Sequence, residues 1–91
     1  MSVVNLVLKP FKQLTYEAMK LTAENRNEFA DWCGGYITKN HDGWRGRAMV
    51  LVPRVMDDFW VKDGDWVVKD PYGRFYKYTE KELFTKFEEV V

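Results

Sequence analysis

The stretch from Asp65 to Tyr78 constrains the fold more than any other part of the chain. Asp65-Trp66-Val67-Val68-Lys69 and Arg74-Phe75-Tyr76-Lys77-Tyr78 are rich in aromatic and β-branched residues, and they flank Asp70-Pro71-Tyr72-Gly73. Proline fixes the backbone angle needed at the second position of a type I turn and glycine suits the fourth, so the chain reverses there. A β-hairpin follows, with aromatic cross-strand pairs such as Trp66 with Phe75 or Tyr76. Any fold for this chain must therefore hold an antiparallel sheet.

The remaining segments supply partners for that hairpin. The apolar run Val3, Val4, Leu6, Val7 and Leu8 reads as a strand broken at Lys9-Pro10, because proline lacks a ladder donor and pushes its predecessor to extended geometry. From Lys12 to Thr22 the apolar positions alternate as Leu14, Tyr16 and Ala18, then change phase to Met19 and Leu21, as in a strand with a bulge near Ala18. Asn25 and Glu28 have capping-box spacing, and Phe29, Trp32 and Cys33 form a helical stripe that Gly34-Gly35 terminates. Tyr36 to Lys39 reads as a brief strand, 40–43 as a turn, and Ala48 to Val52 as a central strand stopped by Pro53. Phe59-Trp60-Val61 leads into a reversal at Asp63-Gly64. Thr79 and Glu82 form a second capping box for a closing helix that carries Leu83, Phe84 and Phe87 and runs to about Glu89. The order β-β-α-β-β-β-β-β-α gives an α+β fold: a small antiparallel sheet of about five strands with two short helices packed on one face. One domain is expected over 1–91, with 1–10 as an N-terminal strand or arm and 11–91 as the α+β core.

Composition limits the function classes. Fourteen basic and fourteen acidic residues cancel and are interspersed, so no global field draws the chain to nucleic acid or an anionic membrane. Nucleic acid is accordingly an unlikely partner. The run from Val3 to Leu8 is too short for a membrane span and has no basic leader, so the expectation is a cytosolic protein with no membrane contact. Cys33 is the one cysteine, which excludes an intramolecular disulfide.

Candidate chemistry is sparse. His41 beside Asp42 has no nucleophile that the sequence places near it, and with Asn40 and Gly43 it reads as a surface-loop histidine. Cys33 lies at the C-terminal end of its helix, where the dipole disfavours a thiolate, and reads as a buried structural cysteine. One His and one Cys cannot close a zinc site, and Asp57-Asp58 reads as a solvated acidic pair, so neither metal, cofactor nor enzymatic activity is expected. Two surfaces are candidates for binding. Lys39, Trp44, Arg45 and Arg47 could stack a base and pair its phosphate, or form an ordinary loop with Trp44 packed back on the sheet. Trp60, Tyr72 and Tyr76 beside Arg74 have the composition of a protein-binding surface, the alternative for each being core or hairpin packing.

Several short motifs follow one another along the chain: Tyr16-Glu17-Ala18-Met19, Glu24-Asn25, Ala30-Asp31-Trp32-Cys33-Gly34-Gly35, Val50 to Pro53, Gly64-Asp65-Trp66-Val67-Val68, Gly73-Arg74-Phe75-Tyr76, and Phe84 to Glu89. This set resembles a widespread family of small uncharacterised bacteriophage proteins with WCGG, GDWV and GxFY motifs, over about residues 12–91. The resemblance implies a phage-encoded protein of the host cytoplasm and brings no catalytic residues with it. Members often have Cys-Lys-Pro after the F-Y pair, where this chain has Lys77-Tyr78-Thr79. The motifs fall on turns and caps, which points to a role in specifying the fold.

The expected function is that of a non-enzymatic accessory protein that binds a host or phage protein. The alternatives are sequestration of a small ligand such as a nucleotide signal by Trp44, Arg45 and Arg47, or weak nucleic-acid binding. An uncovered edge on Val3 to Leu8 would also permit a homodimer through the N-terminal strand.

Overall fold

A computed structural model of the chain describes residues 3–10, 12–38, 49–52 and 59–90. Its elements are β1 (Val4–Leu8), β2 (Thr15–Lys20), α1 (Arg26–Cys33), β3 (Tyr36–Thr38), β4 (Met49–Val52), β5 (Phe59–Val61), β6 (Trp66–Lys69), β7 (Phe75–Tyr78), α2 (Glu80–Lys86) and β8 (Phe87–Glu89). The α+β class holds: a five-stranded antiparallel sheet, ordered β7-β6-β2-β1-β8, with two short helices packed against it. The described residues also form a separate three-stranded sheet, β3-β4-β5.

The helices do not share one face of the large sheet. Successive strand residues point to opposite sides. Met19 and Val67, paired in register, bury with Phe29, Ala30 and Cys33 of α1 and with Val50, Val52 and Val61 of the small sheet. Ala18 and Val68, the neighbouring pair, bury with Leu6, Trp66, Phe87 and Leu83 of α2. Both faces of β2 and β6 are therefore covered, each by its own hydrophobic cluster, instead of one face carrying both helices. The same fact removes the bulge near Ala18. Pairing of β2 with β1 and with β6 runs through Ala18 without an extra residue, and the change of apolar phase marks a strand buried on both sides.

Four further expectations change. Of the run expected as the central strand, Met49–Val52 forms β4, the middle strand of the small sheet and not of the large one. The closing helix ends at Lys86, and Phe87 turns to extended backbone with φ −121° and ψ 159°. Phe87 to Glu89 then pairs with Leu8 to Leu6, and the Val90 amide donates to the Asn5 carbonyl at 2.9 Å. β1 consequently lies between β2 and β8, and neither of its edges is open for the homodimer that an uncovered N-terminal strand would allow. Asn25, finally, does not cap α1 with its side chain. Its Oδ1 accepts the Thr22 amide at 2.8 Å and its Nδ2 donates to the Lys20 carbonyl at 2.7 Å, so it braces the β2–α1 connection instead.

Asn25 apart, the expected signals at Thr79/Glu82 and at the turn and helix-end glycines act where the sequence places them. Thr79 and Glu82 form a reciprocal capping box at α2, with bonds of 3.2 and 2.9 Å. Gly34, Gly64 and Gly73, one from each of the WCGG, GDWV and GxFY motifs, have φ of 67°, 96° and 88°. A Cβ at any of the three would meet no atom within 4 Å, so the demand for glycine there comes from the backbone angle alone.

The large sheet also coils strongly. Phe87 and Tyr78 stand on its two outermost strands, yet their rings meet edge to face at 5.8 Å, with Phe87 also 5.2 Å from Tyr16. α2 connects those strands across the concave side, where Leu83 is its one fully buried side chain. No helix among the described residues is long and apolar enough to cross a membrane.

Candidate functional site

The β6–β7 turn is fixed by one side chain. Asp70 accepts the Gly73 amide on its carbonyl at 2.9 Å, and its own amide donates to the Arg74 carbonyl at 2.8 Å. Its carboxylate Oδ1 accepts the amides of Tyr72 and Arg74 at 2.9 and 2.8 Å, and Oδ2 accepts the Tyr76 hydroxyl at 3.2 Å. Aspartate is suited to this because its short side chain reaches backbone amides two residues on without strain. Pro71 and the left-handed Gly73 complete the turn. Tyr72, held between them, is 81% exposed, the largest exposure of any bulky apolar or aromatic residue described.

A groove of about 430 Å³ opens beside this turn, lined by Thr15 and Glu17 of β2 and by 69–73. Glu17 and Lys69 face each other across β2 and β6 on the α1 side of the sheet. Glu17 Oε1 accepts the Trp32 indole N–H at 2.8 Å, and the Trp32 ring meets Phe75 edge to face at 5.6 Å. Lys69 Nζ sits 5.8 Å above the Phe75 ring. Two of the groove's polar lining residues, Glu17 and Lys69, are thus held by neighbouring aromatic side chains, and the exposed Tyr72 lines the same groove.

Of the residues singled out in the sequence, Tyr72, Arg74 and Tyr76 come together on this hairpin, all exposed. Trp60 does not join them on the same sheet. It stands on β5, 41% exposed, on the outer face of the small sheet, and its carbonyl accepts Lys77 Nζ from the hairpin at 3.1 Å. Tyr36 and Trp60 are both in register with Leu51, which places them on one face, and Tyr36 is 66% exposed. The pairing within the hairpin also differs from expectation: Trp66 faces Tyr78, Tyr76 faces Val68 and Phe75 faces Lys69, because the turn takes up all of 70–74. The candidates Trp44, Arg45 and Arg47, together with Lys39, His41 and Asp57-Asp58, lie outside the described residues.

Cys33 is buried, as the sequence led us to expect, and burial pushes its thiol above the ordinary range. That opposes use as a nucleophile. Among the described residues no group of three or more His, Cys, Asp or Glu side chains could hold a metal ion. Sequence reasoning missed Thr15, Glu17 and Lys69 as groove residues and Tyr36 as an exposed aromatic. The first set is assembled only by the β2–β6 pairing, whereas Tyr36, directly after the helix-ending glycines, could have been suspected. Comparison of the chain with protein-family models, curated proteins and solved structures gives no match.

Proposed function

We propose that the chain is a small non-enzymatic accessory protein, encoded by a phage and acting in the host cytoplasm, that binds a host or phage protein through the β6–β7 hairpin. The observation that carries this reading is Tyr72, a large aromatic side chain held in solvent on a turn where the Asp70 carboxylate accepts three hydrogen bonds, from the Tyr72 and Arg74 amides and the Tyr76 hydroxyl. Ordering a flexible loop costs free energy on association, and a turn already fixed avoids most of that cost. Exposed Tyr76 and Arg74 on the same hairpin, and Trp60 on β5, whose carbonyl accepts Lys77 Nζ from the hairpin at 3.1 Å, belong to the residue types that dominate protein-binding hot spots. The motif resemblance is what supports a phage origin, and the reading needs no cofactor.

The test is affinity capture from host and phage-infected lysates, with wild-type chain and Tyr72→Ala side by side. A hot-spot tyrosine contributes about 2 kcal/mol or more, so the variant should lose a retained partner at least thirtyfold in affinity, roughly, while melting at the wild-type temperature. Retention of the same partners by both forms refutes the assignment to this surface. A second reading rests on the groove, whose volume falls in the small-ligand range of about 300–1,000 Å³. A small-molecule lysate fraction that raises the melting temperature of wild type but not of Lys69→Gln would favour it.

A further inference from the structure

The groove beside the β6–β7 turn presents one negative and one positive side chain that face each other without neutralising each other. Glu17 and Lys69 are directly opposite in the β2–β6 pairing, where Cβ atoms stand about 4.5–5.5 Å apart and opposite charges ordinarily meet. No ion pair joins them. Aromatic neighbours draw them apart: Glu17 Oε1 accepts the Trp32 indole N–H from α1 at 2.8 Å, and Lys69 Nζ lies 5.8 Å from the centre of the Phe75 ring on β7. Glu17 Oε2 and the Lys69 ammonium protons have no hydrogen-bond partner among the described residues. Thr15 stands two residues before Glu17 on β2, so its hydroxyl leaves the same face of the sheet, and Pro71 and Tyr72 give the groove an apolar side. Asp70, the other carboxylate in the lining, already accepts three donors from its own turn.

On the second reading, in which the groove is a small-ligand site, we propose that it binds a free α-amino acid with an apolar or aromatic side chain. The ligand's carboxylate meets Lys69, its ammonium meets Glu17 Oε2, and its side chain lies against Pro71 and Tyr72. Charge selects this class of ligand. A simple anion such as a phosphate would stand against the carboxylates of Glu17 and Asp70, and a simple cation against Lys69, so each would meet repulsion as well as attraction. A molecule that carries both charges matches both residues. In an α-amino acid the two charged groups hang from one carbon atom, which keeps them only a few ångströms apart, as the β2–β6 register keeps Glu17 and Lys69. The groove volume of about 430 Å³ leaves room for the side chain and lies within the range of about 300–1,000 Å³ for small-ligand sites.

The test follows the backbone amides of the isotope-labelled full chain through titrations with phenylalanine, with phenethylamine, which lacks the carboxylate, and with phenylpropanoate, which lacks the ammonium. Phenylalanine should shift the amides of 15–17 and 69–73 and bind about two- to fivefold more tightly than either analogue, the scale of one exposed ion pair. Glu17→Gln keeps an acceptor for the Trp32 indole and should bring phenylalanine down to the affinity of phenylpropanoate. Lys69→Gln should bring it down to that of phenethylamine. The analogue series on the unaltered chain stands whatever either substitution does to the fold. No shift of these amides up to the solubility limit of phenylalanine, equal affinity for the three compounds, or tighter binding of either analogue overturns the inference. A small-molecule lysate fraction that raises the melting temperature of the chain when phenylalanine leaves it unchanged refutes the amino acid alone and leaves the groove standing as a ligand site.

Discussion

Replacing Asp70 by alanine should unlock the hairpin turn without touching the core. The substitution removes acceptors for the Tyr72 and Arg74 amides, at 2.9 and 2.8 Å, and for the Tyr76 hydroxyl at 3.2 Å. Were these groups fully buried, each bond to a charged acceptor would be worth about 1.5–3 kcal/mol. They are near solvent, so water replaces part of what is lost. The closer comparison is removal of a helix N-cap, another short side chain that binds turn amides, which costs about 0.5–2 kcal/mol. With a few tenths added for the phenol, the expected loss is about 1–2 kcal/mol. For a domain of this size that lowers the melting temperature by roughly 5–15 °C. Asp70→Asn keeps a carbonyl oxygen for both amides and changes only the partner of Tyr76, so it should cost under about 0.5 kcal/mol. Thermal melts followed by circular dichroism at neutral pH decide the matter. An Asp70→Ala melt within about 2 °C of wild type would refute the reasoning. So would an Asp70→Asn loss equal to that of alanine, since the amide acceptors would then not be what matters.

Other outcomes follow from the two-faced packing and the caps. Leu83→Ala deletes the one fully buried side chain of α2 and should cost about 2–5 kcal/mol, while Phe84→Ala, 40% exposed beside Trp66, should cost far less; urea unfolding separates the two. Hydrogen bonds from the Trp66 indole, then from Lys20, hold the Glu80 carboxyl below its ordinary range, and the Thr79 amide does the same for Glu82. A lowered folded-state value stabilises above the unfolded value and is lost as pH falls through the folded one, so stability should decline on acidification below the ordinary carboxylate range. Melts of Glu80→Gln and Glu82→Gln across that window should show a shallower decline, and an unchanged slope would contradict the assignment. Cys33, buried with a raised thiol value, should react with a thiol reagent far more slowly in the native chain than in denaturant, and equal rates would show that α1 does not shield it.

How much of this was legible in the sequence divides along the range of the interactions. Turn and cap chemistry acts over a few residues, so the Asp70–Gly73 reversal, the Thr79/Glu82 box and the helix end at Gly34 could be read directly. Asn25 shows the limit of that reading: the same side chain that can cap a helix also fits a backward bond to Lys20 and Thr22, and the backward bonds win. β8 was hidden because Leu83 and Phe87 have helical spacing and do share a cluster, although Phe87 reaches it from a strand. What turns the chain extended there is the open edge of β1, a partner far away in sequence. The phase change at Ala18-Met19 was visible, but its cause lay in two distant covers, α1 with the small sheet on one side and α2 on the other. The division into two sheets was illegible for the same reason. Within the site, Tyr72, Arg74 and Tyr76 were found because one hairpin carries them. Thr15 and Glu17 were not, since only the pairing of β2 with β6 brings them to the groove.

The claim that matters most is that the locked hairpin is the surface a partner protein meets. The direct measurement is an amide correlation spectrum of isotope-labelled chain, recorded with and without a partner captured by the wild type. The account predicts that the amides of 69–77 shift or broaden first, with Thr15 and Glu17 beside them, while those of α1 and β8 hold their positions. Perturbation centred on α1, or on the β1–β8 edge, with the hairpin unmoved would contradict it.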